Sequence, residues 1–189
     1  AQLRIFSLEE LQEKLDQRLS FASTNKTLPE GRSNLRAVLD GMWQMLEPPD
    51  RDLMGALLAF ASDFSASDAE AISGRETFAA SFARLADCSL IVRAGSRREW
   101  RMLETVKLYV ADNVEAATLA HGREAHSRWV LEQVDLPRNF MSHRIASWCG
   151  DHYEDIQQAQ RFLEATGRHD LAAEACTGLA LAMHFDPGA

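Results

Sequence analysis

The sequence predicts a mainly α chain: a winged-helix domain with one small β-hairpin, followed by a helical-hairpin, repeat-like segment. Three observations carry this expectation. Apolar residues recur at helical spacing through most of the chain. One stretch breaks that period: Leu90-Ile-Val92 is β-rich, Arg93 to Arg98 reads as a loop, and Glu99 to Met102 reads as a second short strand leading into a helix. Near the C-terminus two helical patterns are joined by Thr166-Gly-Arg-His169, as in a helical hairpin.

The bulk numbers narrow the class. With 189 residues, 46% hydrophobic and 25% charged, the chain has the composition of an ordinary globular protein. No apolar run approaches the ~20 residues a membrane helix needs, so no membrane partner is expected. Cys88, Cys149 and Cys176 lie far apart and are odd in number, as expected of reduced, buried residues in a cytoplasmic protein. The net charge of −8 argues against nucleic-acid binding by the whole surface, because phosphate contacts need clustered Lys and Arg. The chain opens without Met or a signal-peptide core, and Asp186 to Ala189 reads as a frayed or truncated end; a fragment of a longer protein is expected.

The elements follow in order. Ser7 and Glu10 form a capping box for a first helix whose stripe is Leu8, Leu11, Leu15 and Leu19. Residues 22 to 32, with Pro29 and Gly31, read as a loop. A second helix runs from about Asn34 to Leu46 with a wide apolar face including Leu35, Val38, Leu39, Met42 and Trp43. Glu47-Pro-Pro-Asp50 stops it, and Asp50 or a neighbour caps a third helix, about Arg51 to Phe60. Phe64 to Ser67 reads as a break, with Ser67 capping a short helix, Asp68 to Ile72, that ends at Ser73-Gly74. Thr77 to Ala86 carries Phe78, Phe82 and Leu85 on one face, ahead of the hairpin. The helix after the hairpin spans Glu104 to Asn113, with Val106, Tyr109 and Val110 apolar. Then come Ala116 to Val134, a break at Pro137, Phe140 to Cys149 ending before Gly150, Tyr153 to Ala165 stopped by Gly167, and Asp170 to His184.

Candidate sites are few. The wing carries Arg93, Arg97, Arg98 and Arg101 against the single acid Glu99. These arginines could meet DNA phosphates, a nucleotide or an acidic domain face, or form a solvated hairpin tip. The helix before the hairpin offers only Arg84 as a basic residue, whereas base readout draws on Arg, Lys, Asn or Gln, so direct DNA contact is not expected. His121 and His126 are five apart, ~140° round a helix, and no zinc-type spacing occurs, so no metal site is expected. Cys149, His152 and Asp155 lie close in sequence, but nothing orders them as nucleophile, base and orienter. Trp43, Trp100, Trp129 and Trp148 read as core residues. If the chain is cut after its last helix, Leu179, Leu181 and Phe185 are expected to form an exposed patch able to dimerise.

Several runs resemble one family. Leu8 to Leu19, then Leu35-Arg-Ala-Val-Leu-Asp-Gly-Met-Trp-Gln-Met-Leu46 with Pro49-Asp-Arg-Asp-Leu53, resemble the end of the nucleotide-binding region in bacterial STAND-class (NB-ARC-like) ATPase transcriptional regulators. Phe60 to Phe64 with Ala69-Glu-Ala71 looks like the start of their winged helix, and Phe82 to Leu90 with Trp100 to Lys107 looks like its closing half. His152-Tyr-Glu-Asp-Ile-Gln-Gln-Ala159 resembles the opening of the tetratricopeptide-like array that follows. The resemblance covers most of the chain, is most specific at Leu103-Glu-Thr-Val106 and weakest from Arg123 to Asn139.

The resemblance implies three parts: residues 1–46 as the helical end of an ATPase core, 47–114 as a winged helix, and 115–189 as a truncated helical segment. It implies a non-catalytic, signal-transducing role: nucleotide state, ATP or ADP in the full-length protein, is coupled to a helical sensor array. The implied partners are the ATPase core and further repeats of the same chain, and an inducer or protein on the array. In eukaryotic relatives a Met-His-Asp motif at the winged helix contacts ADP phosphate; the matching residues here are Met102, Leu103 and Glu104, and Leu103 has no hydrogen-bond donor to offer. The chain has no Gly-x-x-x-x-Gly-Lys-Ser/Thr loop, so no cofactor is expected to be held by it alone and no turnover is expected from it. The alternative is a DNA-binding winged helix that uses the basic wing.

Overall fold

The structure, a computed structural model, describes residues 30–95, 99–134 and 143–185. The expected helix at Leu8 to Leu19, the tip residues Arg97 and Arg98, Pro137, the helix start at Phe140, the side chains of Leu179, Leu181 and Phe185, and Asp186 to Ala189 lie outside the described residues. The chain divides into two compact units, Ala1–Met45 and Leu46–Ala189. In the first, α1 spans Glu30–Met45, so it begins inside the stretch read as a loop and carries Gly31 in its first turn. Leu39 is buried and Val38 is 52% exposed. Successive helical residues point ~100° apart, so the apolar face is narrower than the sequence pattern suggested.

The second unit is mainly helical around one small antiparallel sheet. Helix α2 spans Pro48–Leu57. The two prolines that end α1 occupy the first turn of α2, where a missing N–H costs nothing. Asp50 is therefore not the cap: Glu47 is, and the Asp50 carboxylate reaches back to accept from the Glu47 N–H at 3.1 Å. After α2 comes β1, Phe64–Ser65, a strand hidden within the predicted break. Two residues are too short to show a period. Helix α3, Ala66–Ser73, is capped by Ser65 rather than Ser67: Ser65 Oγ accepts from the Asp68 N–H at 3.1 Å, and Asp68 Oδ2 accepts from the Ser65 N–H at 2.9 Å. Gly74, with φ 59°, ends it in the left-handed region.

Helix α4, Phe78–Asp87, buries Phe78, Phe82 and Leu85 as expected. It closes in a Schellman turn in which Ser89 takes the left-handed conformation and the Leu90 N–H donates to the Leu85 carbonyl at 3.0 Å. That turn drives Leu90 and Ile91 into the core and starts β2, Val92–Ala94. Strand β3, Glu99–Arg101, pairs with β2 on one side and β1 on the other, with Trp100 opposite both Arg93 and Phe64. The order helix, strand, two helices, two strands, with β3 central, organises the first half of the unit.

Helices α5, Glu104–Asn113, α6, Ala116–Val134, α7, His143–Asp151, α8, Tyr153–Ala165, and α9, His169–Phe185, complete the unit. Helix α7 runs through Gly150 instead of stopping before it, because the His152 N–H still donates to the Trp148 carbonyl at 2.9 Å. Gly167, with φ 77°, ends α8 as predicted. Helix α8 packs on α6 and α9, and α9 also packs on α7. Helix α6 reaches back to α2 and α3. Its crossing with α2 is too close for side chains: a Cβ on Gly122 would sit 2.9 Å from Ala56 Cα, and one on Gly55 2.7 Å from Thr118 Cγ2.

Candidate functional site at the joint of the two segments

Of the predicted wing residues, Arg93 lies on β2 and Arg101 on β3, and the switch residues follow at the exit of β3. Met102 is buried, Leu103 is the N-cap residue of α5 and 39% exposed, and Glu104 opens that helix on the surface. The Leu103 carbonyl accepts from the Val106 and Lys107 N–H groups, each at 2.9 Å, so its backbone starts the helix while its side chain offers only carbon outward. Arg93 stacks over the Trp100 ring at 4.1 Å. Arg101 makes a paired contact with Asp63, at 3.0 and 2.7 Å. Arg84, the lone basic residue of α4, grips the fully buried Asp50 with Nε and Nη2, the shortest contact being 2.7 Å. Burial alone would raise the Asp50 carboxyl, but hydrogen bonds from Arg84, Ser81 and the Glu47 backbone hold it below the ordinary carboxylate range.

A second cluster had no single sequence signature. The residues 58–63 that leave α2 are held from three directions. From α8, Asp155 Oδ1 accepts the Ala61 N–H at 2.8 Å and Gln158 Nε2 donates to the Ala59 carbonyl at 2.9 Å. From α5, Lys107 Nζ donates to the Phe60 carbonyl at 3.2 Å. From α6, His126 and Trp129 meet the Phe60 ring edge-on, each at 5.3 Å between centroids, and Phe60 stacks on Phe64 of β1. Three backbone groups of this connection, the Ala59 and Phe60 carbonyls and the Ala61 N–H, thus find side-chain partners on α5 and α8.

Asp155 is the centre of the cluster. It is fully buried and meets His126 Nε2 and His152 Nδ1, both at 3.1 Å. An ionised carboxylate only accepts, so both imidazoles present an N–H to it: His126 through Nε2 and His152 through Nδ1. Burial by itself would raise this carboxyl; the hydrogen bonds from the two histidines and the Ala61 N–H outweigh it and hold Asp155 well below the usual range. Trp148 stacks on His152 at 4.5 Å and meets Trp129 edge-on at 5.3 Å, which closes the site. The structure therefore unites His152 and Asp155, as their i, i+3 spacing allows, but adds His126 from 29 residues away. Burial pushes the Cys149 thiol up to about 11, so it stays protonated at neutral pH. Among the described residues no group of His, Cys, Asp and Glu is arranged to hold a metal ion, and no helix is long and apolar enough to cross a membrane.

No family model, curated protein or solved structure matches this chain.

Proposed function

We propose that this chain is a non-catalytic regulatory region of a STAND-type ATPase transcriptional regulator, in which a winged helix passes nucleotide state to and from a helical sensor array. The order helix, strand, two helices, two strands, with β3 central, is the connectivity of a winged helix and supports that part of the reading. The observation that carries the reading is the joint. Asp155 and Gln158 of α8 bond directly to the backbone of Ala61 and Ala59, in the connection between α2 and β1. In this reading a displacement of the array would reach β1 through Ala61 and the first turns of α5 through the Lys107 contact with Phe60, next to Leu103, which the resemblance matches to the phosphate-contacting His of eukaryotic relatives. Leu103 acts there by packing, since it has nothing to donate to a phosphate. Such coupling is a bias between closed and open arrangements rather than a chemical step. The nucleotide, ATP or ADP, belongs to the ATPase core of the longer protein, and an inducer or partner protein engages the array.

The test is ADP release from the full-length regulator, followed with a fluorescent ADP analogue. Asp155→Asn with Gln158→Ala is expected to change the release rate or its response to inducer while the circular dichroism spectrum stays helical. An unchanged rate and response in a folded variant removes the joint from the switch. The competing reading, a DNA-binding winged helix, finds its described wing arginines already stacked on Trp100 or paired with Asp63.

A further inference from the structure

The crossing of α2 and α6 leaves a second feature that neither the joint nor the wing uses. At Gly122 helix α6 meets the backbone of Gly55 and Ala56 in α2, and beside that contact the two helices line a common crevice. The C-terminal end of α3 closes the gap and leaves a crevice of about 390 Å³. Its inner wall is aliphatic, with the buried Leu53 and Ala56 from α2 and Ile72 from α3, and Ala117 of α6 stands at its exposed edge. Its mouth is charged with both signs. Arg75 Nη1 meets Asp52 Oδ2 at 2.6 Å, and the two side chains remain 43% and 35% exposed. His121 of α6 lines the same crevice, as does Ser73, whose hydroxyl donates to the Glu70 carbonyl and keeps lone pairs free to accept.

We propose that this crevice binds a small zwitterion with an aliphatic tail, of the class of a free apolar α-amino acid. The volume lies at the lower end of small-molecule pockets and suits a ligand of about ten heavy atoms. An aliphatic tail replaces water against Leu53, Ala56 and Ile72. The charged end of the ligand matches the ion pair at the mouth: an ammonium takes Asp52, and the carboxylate takes the Arg75 guanidinium and the His121 edge. Neither charge of the ligand loses water without gaining an opposite partner, and neither protein charge is left alone. A purely apolar ligand lacks the second half of this exchange, and a simple anion or cation would have to break the Arg75–Asp52 pair without replacing both sides. The bound ligand would touch α2 and α3 on one side and α6 on the other, and so would bear on the α2–α6 crossing; any regulatory use of it rests on the proposed regulatory reading. The binding itself does not depend on that reading and is measured on this chain alone.

The probe is L-leucine, titrated into the 189-residue chain by calorimetry and ligand-observed NMR. Saturable binding is expected, with N-acetyl-L-leucine and L-leucine amide each weaker by about tenfold or more, since each removes one charge-assisted contact. Asp52→Ala and Arg75→Ala are expected to weaken L-leucine by a similar factor. Ala117→Trp, a change at an exposed position that fills the crevice without touching the core, should abolish binding with the thermal midpoint unchanged. Absence of saturable binding overturns the proposal. So does equal binding of the two blocked analogues, or binding that survives Ala117→Trp. If L-leucine binds as expected but leaves ADP release by the full-length regulator unaltered, the site stands and only its regulatory use fails.

Discussion

Asp155 Oδ1 and the Ala61 amide, 94 residues apart in sequence, meet at 2.8 Å inside the molecule. The bond joins the first helix of the C-terminal pair to the chain that has just left α2. Its acceptor is a fully buried charge whose other partners are two imidazoles. Such a charge is costly to strip of its partners and costly to remove from them, because whatever remains is buried without compensation.

Asp155→Asn puts an amide where three N–H groups converge. One amide oxygen still accepts, but the NH2 group faces a donor. The variant is expected to lose about 1–3 kcal/mol of unfolding free energy, measured by urea titration. Its amide exchange should rise first at residues 59–61, while Phe82 and Leu85 in α4 stay protected. A uniform rise across the unit would mean that the carboxylate supports the whole core and not the joint in particular.

The same residue sets an acid limit. The folded Asp155 carboxyl lies below its unfolded value, so its contribution is fully present above about pH 4 and is lost as pH falls from there toward the depressed folded value. Asp50 and Glu124 shift in the same direction, the latter chiefly through its hydrogen bond with Arg168. Unfolding free energies from urea titrations on descending pH should fall steeply below about pH 4, by up to about 1.4 kcal/mol per pH unit for each such proton. In Asp155→Asn the slope should be shallower. A flat acid limb in the wild type would show that Asp155 titrates as an ordinary carboxylate.

What could be read beforehand was local. The apolar spacing of Phe78, Phe82 and Leu85 defined α4, and Gly167 fixed the end of α8, because both signals sit within a few residues of the structure they specify. Strand β1 was invisible because its two residues pair only with Trp100 and Glu99, far along the chain. The caps shifted for a related reason: Ser65 and Ser67 are both good cap residues, and the pairing of Ser65 with β3 decides between them. At the joint, the i, i+3 spacing of His152 and Asp155 is legible in the sequence, without an order of nucleophile, base and orienter. Its structural use depends on His126 and Ala61, which no local pattern links to it. The Gly55–Gly122 crossing was equally hidden, since a helical glycine carries no sign of what lies opposite it.

That crossing gives opposite expectations for two helical glycines. Gly122→Ala forces a Cβ into the Ala56 backbone and is expected to cost about 1–3 kcal/mol. Gly41→Ala, in α1, meets nothing within 4 Å and should stabilise its helix by about 0.5–1 kcal/mol. Differential unfolding of the two variants checks both signs. If Gly122→Ala is neutral, α2 and α6 can slide apart, and the two segments are not locked by this contact.

Duplex DNA supplies the last discriminating experiment. A chain of net charge −8 that binds DNA must concentrate free cations on one face. Arg84 is committed to Asp50, Arg101 to Asp63, and Arg93 lies over Trp100. Arg84 and Arg101 would have to leave a carboxylate before pairing with a phosphate, and Arg93 would meet one only from its place over Trp100. No salt-dependent binding of this chain to duplex DNA is therefore expected at low ionic strength, and Arg97→Glu with Arg98→Glu should change nothing. Binding whose affinity falls linearly on a log–log plot against salt, and which disappears in the double variant, would instead make the wing a DNA-contacting element.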